Sequence, residues 1–217
     1  MAEDIPVGRA TSDPTRAAPA PAPAAPAAIA DPAPLGLAGF ALTTFVLSLF
    51  NAGILDRKGE PVVLGLALAY GGLAQLLAGM WEFRKGNTFG ATAFSSYGAF
   101  WLSFWAFVAF YAKLVPADYL GKAVGLYLIA WGIFTAYMWI ASFRTTGAVM
   151  VVFLLLTITF FLLGIGNASG TSGITKLGGW VGILTAIAAW YASFASVANF
   201  TFGREMVPVY PLQRARA

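Results

Sequence analysis

The side chains that most often do chemistry are absent or scattered. The chain has no histidine and no cysteine. That removes imidazole bases, thiolate nucleophiles, disulfides, His-ligated haem and Cys/His zinc sites. Its nine acidic residues are dispersed, so neither a metal nor a cofactor is expected. A membrane hydrolase would then need a Ser–Lys or Asp–Asp pair inside an apolar segment. Neither pair is present, and an enzyme is not expected.

What remains is a set of hydroxyls and amides within apolar runs: Thr43, Asn51, Gln75, Ser96, Thr157 and Asn167. Such groups are costly in hydrocarbon and mark pathways or contacts. They can hydrogen-bond a small neutral or weakly charged solute, a carboxylic acid among them, and still release it. The alternative for each threonine and serine is a hydroxyl bonded back to its own helix. Two acids stand at the ends of apolar runs. Glu82, beside Arg84 and Lys85, reads either as a surface ion pair or as a mouth-lining, proton-coupling group. Asp31, before Pro32 and Pro34, reads as the cap of a helix start.

The elements that must hold these residues follow from composition. Of 217 residues, 59% are hydrophobic and 10% charged. A soluble domain carries about 25% charge. The expected class is an all-α membrane protein in contact with the lipid bilayer. A span needs about 20 apolar residues, because the hydrocarbon is about 30 Å thick. Six runs qualify, at 35–54, 61–81, 92–114, 119–142, 146–166 and 177–200. They are too long for barrel strands and lack strict alternation. The prediction is a six-transmembrane-helix bundle joined by short breaks.

Six spans put both ends on one side. Arg9, Arg16, Arg84, Lys85, Arg144, Arg204, Arg214 and Arg216 share that side, eight cations against five on the other. The excess places both termini in the cytoplasm. The net charge of +4 then reads as loops facing anionic lipid, not as a nucleic-acid site. Residues 1–34 hold eight of the twelve prolines and read as a disordered tail. Residues 35–203 read as the six-helix transmembrane domain, and 204–217 as a short cytoplasmic C-terminal tail. Gly121 and Gly125, and Gly178 and Gly182, are spaced for close helix approach, within one bundle or between subunits.

Several long blocks resemble one family. Residues 31–53 read DPAPLGLAGFALTTFVLSLFNAG, 70–79 read YGGLAQLLAG, and 85–98 read KGNTFGATAFSSYG. GLYLIAWGIFTAYMW, LLGIGNASG and GGWVG follow in order. These resemble the acetate uptake transporter family, the bacterial succinate–acetate permeases and their yeast acetate and ammonia-export relatives. The family signature Asn-Pro-Ala-Pro-Leu-Gly-Leu is matched at six of seven positions, with Asp31 in place of the asparagine.

The resemblance implies a six-helix plasma (inner) membrane protein that moves acetate and, in some members, succinate. It implies a homo-hexamer with one pathway per protomer, by either proton-coupled or channel-like transport. By motif position it places a constriction at Phe40, Tyr97 and Leu156, and a substrate-range position at Ala189. The other readings are ammonium export and a membrane scaffold without transport.

Overall fold

The computed structural model describes residues 29–212. Most of the tail expected over 1–34, and the last five residues of the chain, lie outside these. Among the described residues, six helices are long and apolar enough to cross a membrane: α1 Ala33–Asn51, α2 Arg57–Lys85, α3 Thr88–Leu114, α4 Ala117–Ser142, α5 Gly147–Ser169 and α6 Ser172–Phe202. A chain in hydrocarbon must satisfy its backbone internally, and continuous helices do so.

Short local signals make the turns between them. Gly86 and Gly170 take left-handed φ values of 81° and 69° and end α2 and α5. Asn87 then accepts from the Gly90 N–H to start α3. Thr146 accepts from the Val149 N–H to start α5. The helices overrun the apolar runs at several ends. The polar stretch 167–173 reads as a break in the sequence, yet only Gly170 and Thr171 lie between α5 and α6. Capping hydroxyls and glycines extend helices through the polar interface, beyond the hydrocarbon.

Two helices are irregular. In α2 a 3₁₀ turn at Arg57–Val62 contains Pro61, and a π-helical stretch covers Ala69–Ala74. In α3 a second π-helical stretch covers Phe107–Tyr111.

The helices stand in sequence order around a ring, each packed on the next, and α6 closes on α1. Five seams bring backbones together at glycines. A Cβ on Gly39 (α1) would lie 2.6 Å from the Tyr70 carbonyl oxygen (α2), and one on Gly98 (α3) 2.6 Å from the Leu76 nitrogen (α2). Gly125 faces Ala168 and the Gly164 carbonyl across α4–α5, Gly166 faces the Thr175 nitrogen across α5–α6, where Gly178 also packs on the Leu163 side chain, and Gly179 faces Ala52 across α6–α1. Both glycine pairs noted in the sequence therefore lie in seams within the protomer.

The sixth seam, α3–α4, differs. Tyr97 packs on Trp131 and Phe134, and Phe100 on Tyr127 and Trp131, at centroid separations of 5.2–6.2 Å. The Tyr97 hydroxyl donates to Thr135 Oγ1 at 2.9 Å, and Tyr127 donates to the Phe100 carbonyl at 3.0 Å.

Beyond α6 the chain folds back as a strap. The Asn199 side chain accepts from the Met206 and Val207 N–H groups and donates to the Val207 carbonyl. Tyr191 donates to the Pro208 carbonyl, and the Gly147 N–H donates to that of Tyr210. Residues 204–212 are thus tied to the start of α5 and the end of α6.

The α4–α5 seam supplies a stability test. A Cβ on Gly125 would sit 2.6 Å from the Ala168 Cβ and 2.7 Å from the Gly164 carbonyl oxygen, whereas Gly173 faces open space. Gly125→Leu is expected to destabilise the detergent-solubilised protein by about 2 kcal/mol or more, read as a lowered Tm. Gly173→Ala is expected to leave Tm unchanged.

Candidate functional site

Four cavities run through the ring, and neighbours share walls. The first opens on the face where α1 begins and α6 ends, beside the strap. It holds about 380 Å³ and is lined by Ala33, Asn87, Phe94, Thr145, Thr146 and Pro211, among others. It narrows to a neck of about 20 Å³ whose walls are Leu37, Phe40, Gln75, Ala93, Phe94, Tyr97, Val152, Phe153 and Leu156. Phe40 and Leu156 also wall the next cavity, of about 100 Å³. Asn51, Arg57 and Asn167 are shared between that cavity and an outer mouth of about 400 Å³ on the opposite face.

Helical periodicity explains the lining. On α1, Phe40, Thr44, Leu47, Ser48 and Asn51 share one face; on α5, Leu156, Thr159, Phe160, Leu163 and Asn167 do. Residues three and four apart stack on one side of a helix. On α3, Tyr97 lines the neck, and Phe100, Trp101 and Phe104 line the cavity beyond it.

The structure brings together Phe40, Tyr97 and Leu156, all buried, on the walls of the smallest of these four cavities. The Phe40 and Tyr97 rings lie 5.9 Å apart. The Tyr97 hydroxyl gives its proton to Thr135, which donates in turn to the Trp131 carbonyl. Besides this hydroxyl, Gln75 is the polar group in the neck, and its Oε1 has no partner among the described residues. Asn51 and Asn167 line the route; Arg57 donates to Asn51 Oδ1 at 3.3 Å, and Asn167 donates to the Leu163 carbonyl at 2.8 Å.

Other sequence candidates lie off the route. Thr43 donates to the Gly39 carbonyl and packs under Gly71 of α2, and Thr157 donates to the Phe153 carbonyl. Ser96 is half-buried, and Ala189 is fully buried; neither lines these cavities. Glu82 is fully buried behind the inner cavity, close to Gly90, and both its oxygens lack partners among the described residues. Asp31 accepts from the Ala33 N–H at 3.0 Å and pairs with Lys85 at 2.8 Å. It stands one residue before the cap position, Pro32, and its charge is met by a neighbouring cation.

Thr44, Ser48, Thr159, Trp101 and Arg57 also line the middle cavity; the sequence places Thr44 and Thr159 among the intramembrane polar groups but does not single out Ser48 or Trp101. Thr44 Oγ1 and Trp101 Nε1 are buried without partners among the described residues. The signal was the period: Phe40, Thr44, Ser48 and Asn51 are spaced by four, four and three residues.

Comparison with known proteins agrees with this architecture. Residues 15–214 match the model of the GPR1/FUN34/yaaH family. Ammonia transport outward protein 2 of Saccharomyces cerevisiae is 46% identical over 175 residues, which cover 78% of this chain and 62% of that protein. This chain therefore spans less than two thirds of the yeast relative's length. The succinate-acetate/proton symporter SatP of Escherichia coli is 41% identical over 182 residues, 83% of this chain and 95% of that one. The structure of the bacterial acetate channel SatP superposes with a TM-score of 0.79 at 40% identity, over 84% of this chain and 99% of that one. The ring of six membrane helices and these matches show that the chain belongs to the GPR1/FUN34/yaaH family.

Proposed function

We propose that this protein conducts acetate and similar short carboxylates across a bacterial inner membrane, through the pathway within each protomer. The observation that carries the reading is the pinch at Phe40, Tyr97 and Leu156 between two roomier cavities, in a chain of this family. A neck of about 20 Å³ walled by apolar side chains disfavours a hydrated inorganic ion, because it strips water without replacing it. A small acid offers a methyl group to the rings and a carboxyl group to the Gln75 amide. Both termini face the cytoplasm, and the assembly is a homo-hexamer. The tail before α1 and the strap after α6 flank the transport domain. Ala189, buried in α6, sets substrate range by fixing how closely α6 packs on the core.

Radiolabelled acetate uptake into proteoliposomes tests the reading directly. Leu156→Ala widens the neck and is expected to raise butyrate flux relative to acetate by roughly tenfold, since each methylene in an apolar fit is worth about 1–3 kcal/mol. An unchanged ratio in folded Leu156→Ala and Phe40→Ala proteins would remove these residues from the pathway. Gln75→Leu deletes the neck amide and is expected to slow acetate by about tenfold, the scale of one hydrogen bond.

Coupling is read by repeating the uptake with an imposed pH gradient. Glu82 is the proposed proton-carrying group. Glu82→Gln is expected to remove any gradient dependence and keep passive flux. Ammonium export is the second reading, supported by the name of the yeast relative. Methylammonium flux exceeding acetate flux in the same vesicles would favour it.

A further inference from the structure

We infer that Arg57 and Lys176 form a carboxylate-capture site at the mouth opposite the chain ends, and that the mouth beside the strap has no counterpart. The inference rests on the transport reading above and adds a charge-selecting step ahead of the neck.

The two mouths are of similar size but differ in charge. The outer mouth, about 400 Å³, is lined by Arg57 and Lys176 and by no acid. The inner one, about 380 Å³, is lined by no charged residue. Asp31 and Lys85 stand near it and neutralise each other at 2.8 Å.

Neither outer cation is committed to a strong partner. Lys176, exposed on the first turns of α6, makes no ion pair among the described residues. Its stem lies across the turn at Gly53, where a Cβ would come within 3.1 Å of Lys176 Cε. Arg57 meets Glu60 at 3.5 Å with 57% of its side chain exposed, and Asn51 at 3.3 Å. These are long, solvated contacts that an incoming carboxylate can replace, and such pairs hold little net free energy.

Arg57 also lies at the junction, lining the outer mouth and the middle cavity. Glu60 lines the middle cavity but not the mouth, so no acid walls the mouth at which an anion arrives. A carboxylate held by the planar, two-pronged guanidinium would stand one step from Asn51 and Asn167. A cleft lined by one sign of charge with low-dielectric walls concentrates the opposite ion and raises its rate of arrival. Such a site acts on capture and leaves passage through the neck to other residues.

The test is acetate uptake into proteoliposomes over a range of acetate concentrations, at low and at high ionic strength. For Arg57→Gln combined with Lys176→Gln, the half-saturating concentration at low salt is expected to rise about tenfold. The maximal rate should change by much less. High salt should shrink the difference between variant and wild type, because exposed charges are screened within about 10 Å at 0.1 M. Lys176→Glu should weaken capture further than Lys176→Gln, and Arg57→Lys, which keeps the charge but loses the fork, should retain more capture than Arg57→Gln and less than wild type. Unaltered half-saturation and salt response in a variant that transports acetate would overturn the inference. So would a loss confined to maximal rate. An absence of acetate flux through the wild-type protein would instead sink the transport reading itself.

Discussion

The architecture depends on an inequality among its six helix seams. At five of them a glycine lets one backbone touch another, as Gly125 does against Gly164 and Gly179 against Ala52. At α3–α4 the spacers are rings: Tyr97 and Phe100 on one side, Tyr127, Trp131 and Phe134 on the other. Lipid tails are as apolar as leucine, so membrane helices associate through dispersion at close contact and through hydrogen bonds. Close glycine seams fix five helix pairs rigidly. The aromatic seam then holds α3 away from α4, and the space inside the ring is what remains. Aromatic pairs worth about 0.5–1.5 kcal/mol each beyond their burial, together with two hydroxyl bonds, keep that seam closed to lipid.

The buried polar groups divide into two populations. Thr43, Thr157 and Thr185 donate to the carbonyl four residues earlier and serve their own helices. Gln75 and Thr44, with the half-buried Asn51 and Asn167, line the central space, although Asn167 also donates to the Leu163 carbonyl four residues earlier. Residue type does not separate them. Thr43 and Thr44 are adjacent on α1, and only Ile158 stands between Thr157 and Thr159 on α5. A step of one residue on α1 and of two on α5 decides. Thr44 faces the cavity and Thr43 faces Gly71 of α2. Thr159 lines the cavity even though its hydroxyl donates to the Leu155 carbonyl, whereas Thr157 bonds back to Phe153 away from it.

Much of the fold was legible because hydrocarbon demands long apolar helices, and six such runs stand out in the sequence. The helix ends were less legible, since capping groups carry helices into the polar interface. The strap was not legible at all: it depends on Asn199 and Tyr191, which reach residues 206–208 only once α6 is formed. Motif resemblance singled out Phe40, Tyr97 and Leu156, and these three line one small cavity whose polarity the motif did not reveal. Tyr97 brings a hydroxyl to the constriction, but that hydroxyl donates to Thr135, which leaves Gln75 to supply polarity. Arg57 was hidden because the segment 56–60 reads as an ordinary exposed turn. Its position at a cavity junction depends on where the turn between α1 and α2 sits in three dimensions.

Separating the neck from the mouths has a physical consequence. A charged side chain inside the neck would hold a carboxylate strongly and slow its release, and burying that charge unpaired would itself be costly. Amides and rings avoid both penalties, but they attract an anion weakly. Cations can serve where water still solvates them, at the mouth, provided their own partners are loose. Arg57 and Lys176 meet that condition on one face, and Asp31 with Lys85 fails it on the other because the pair is closed. On the proposed reading, selection by size and by apolar fit belongs to Phe40, Tyr97, Leu156 and Gln75, which line the neck, while attraction by charge belongs to Arg57 and Lys176 at the rim. The two can vary independently, so a relative without these cations could keep the same neck and differ only in how well it gathers a dilute acid.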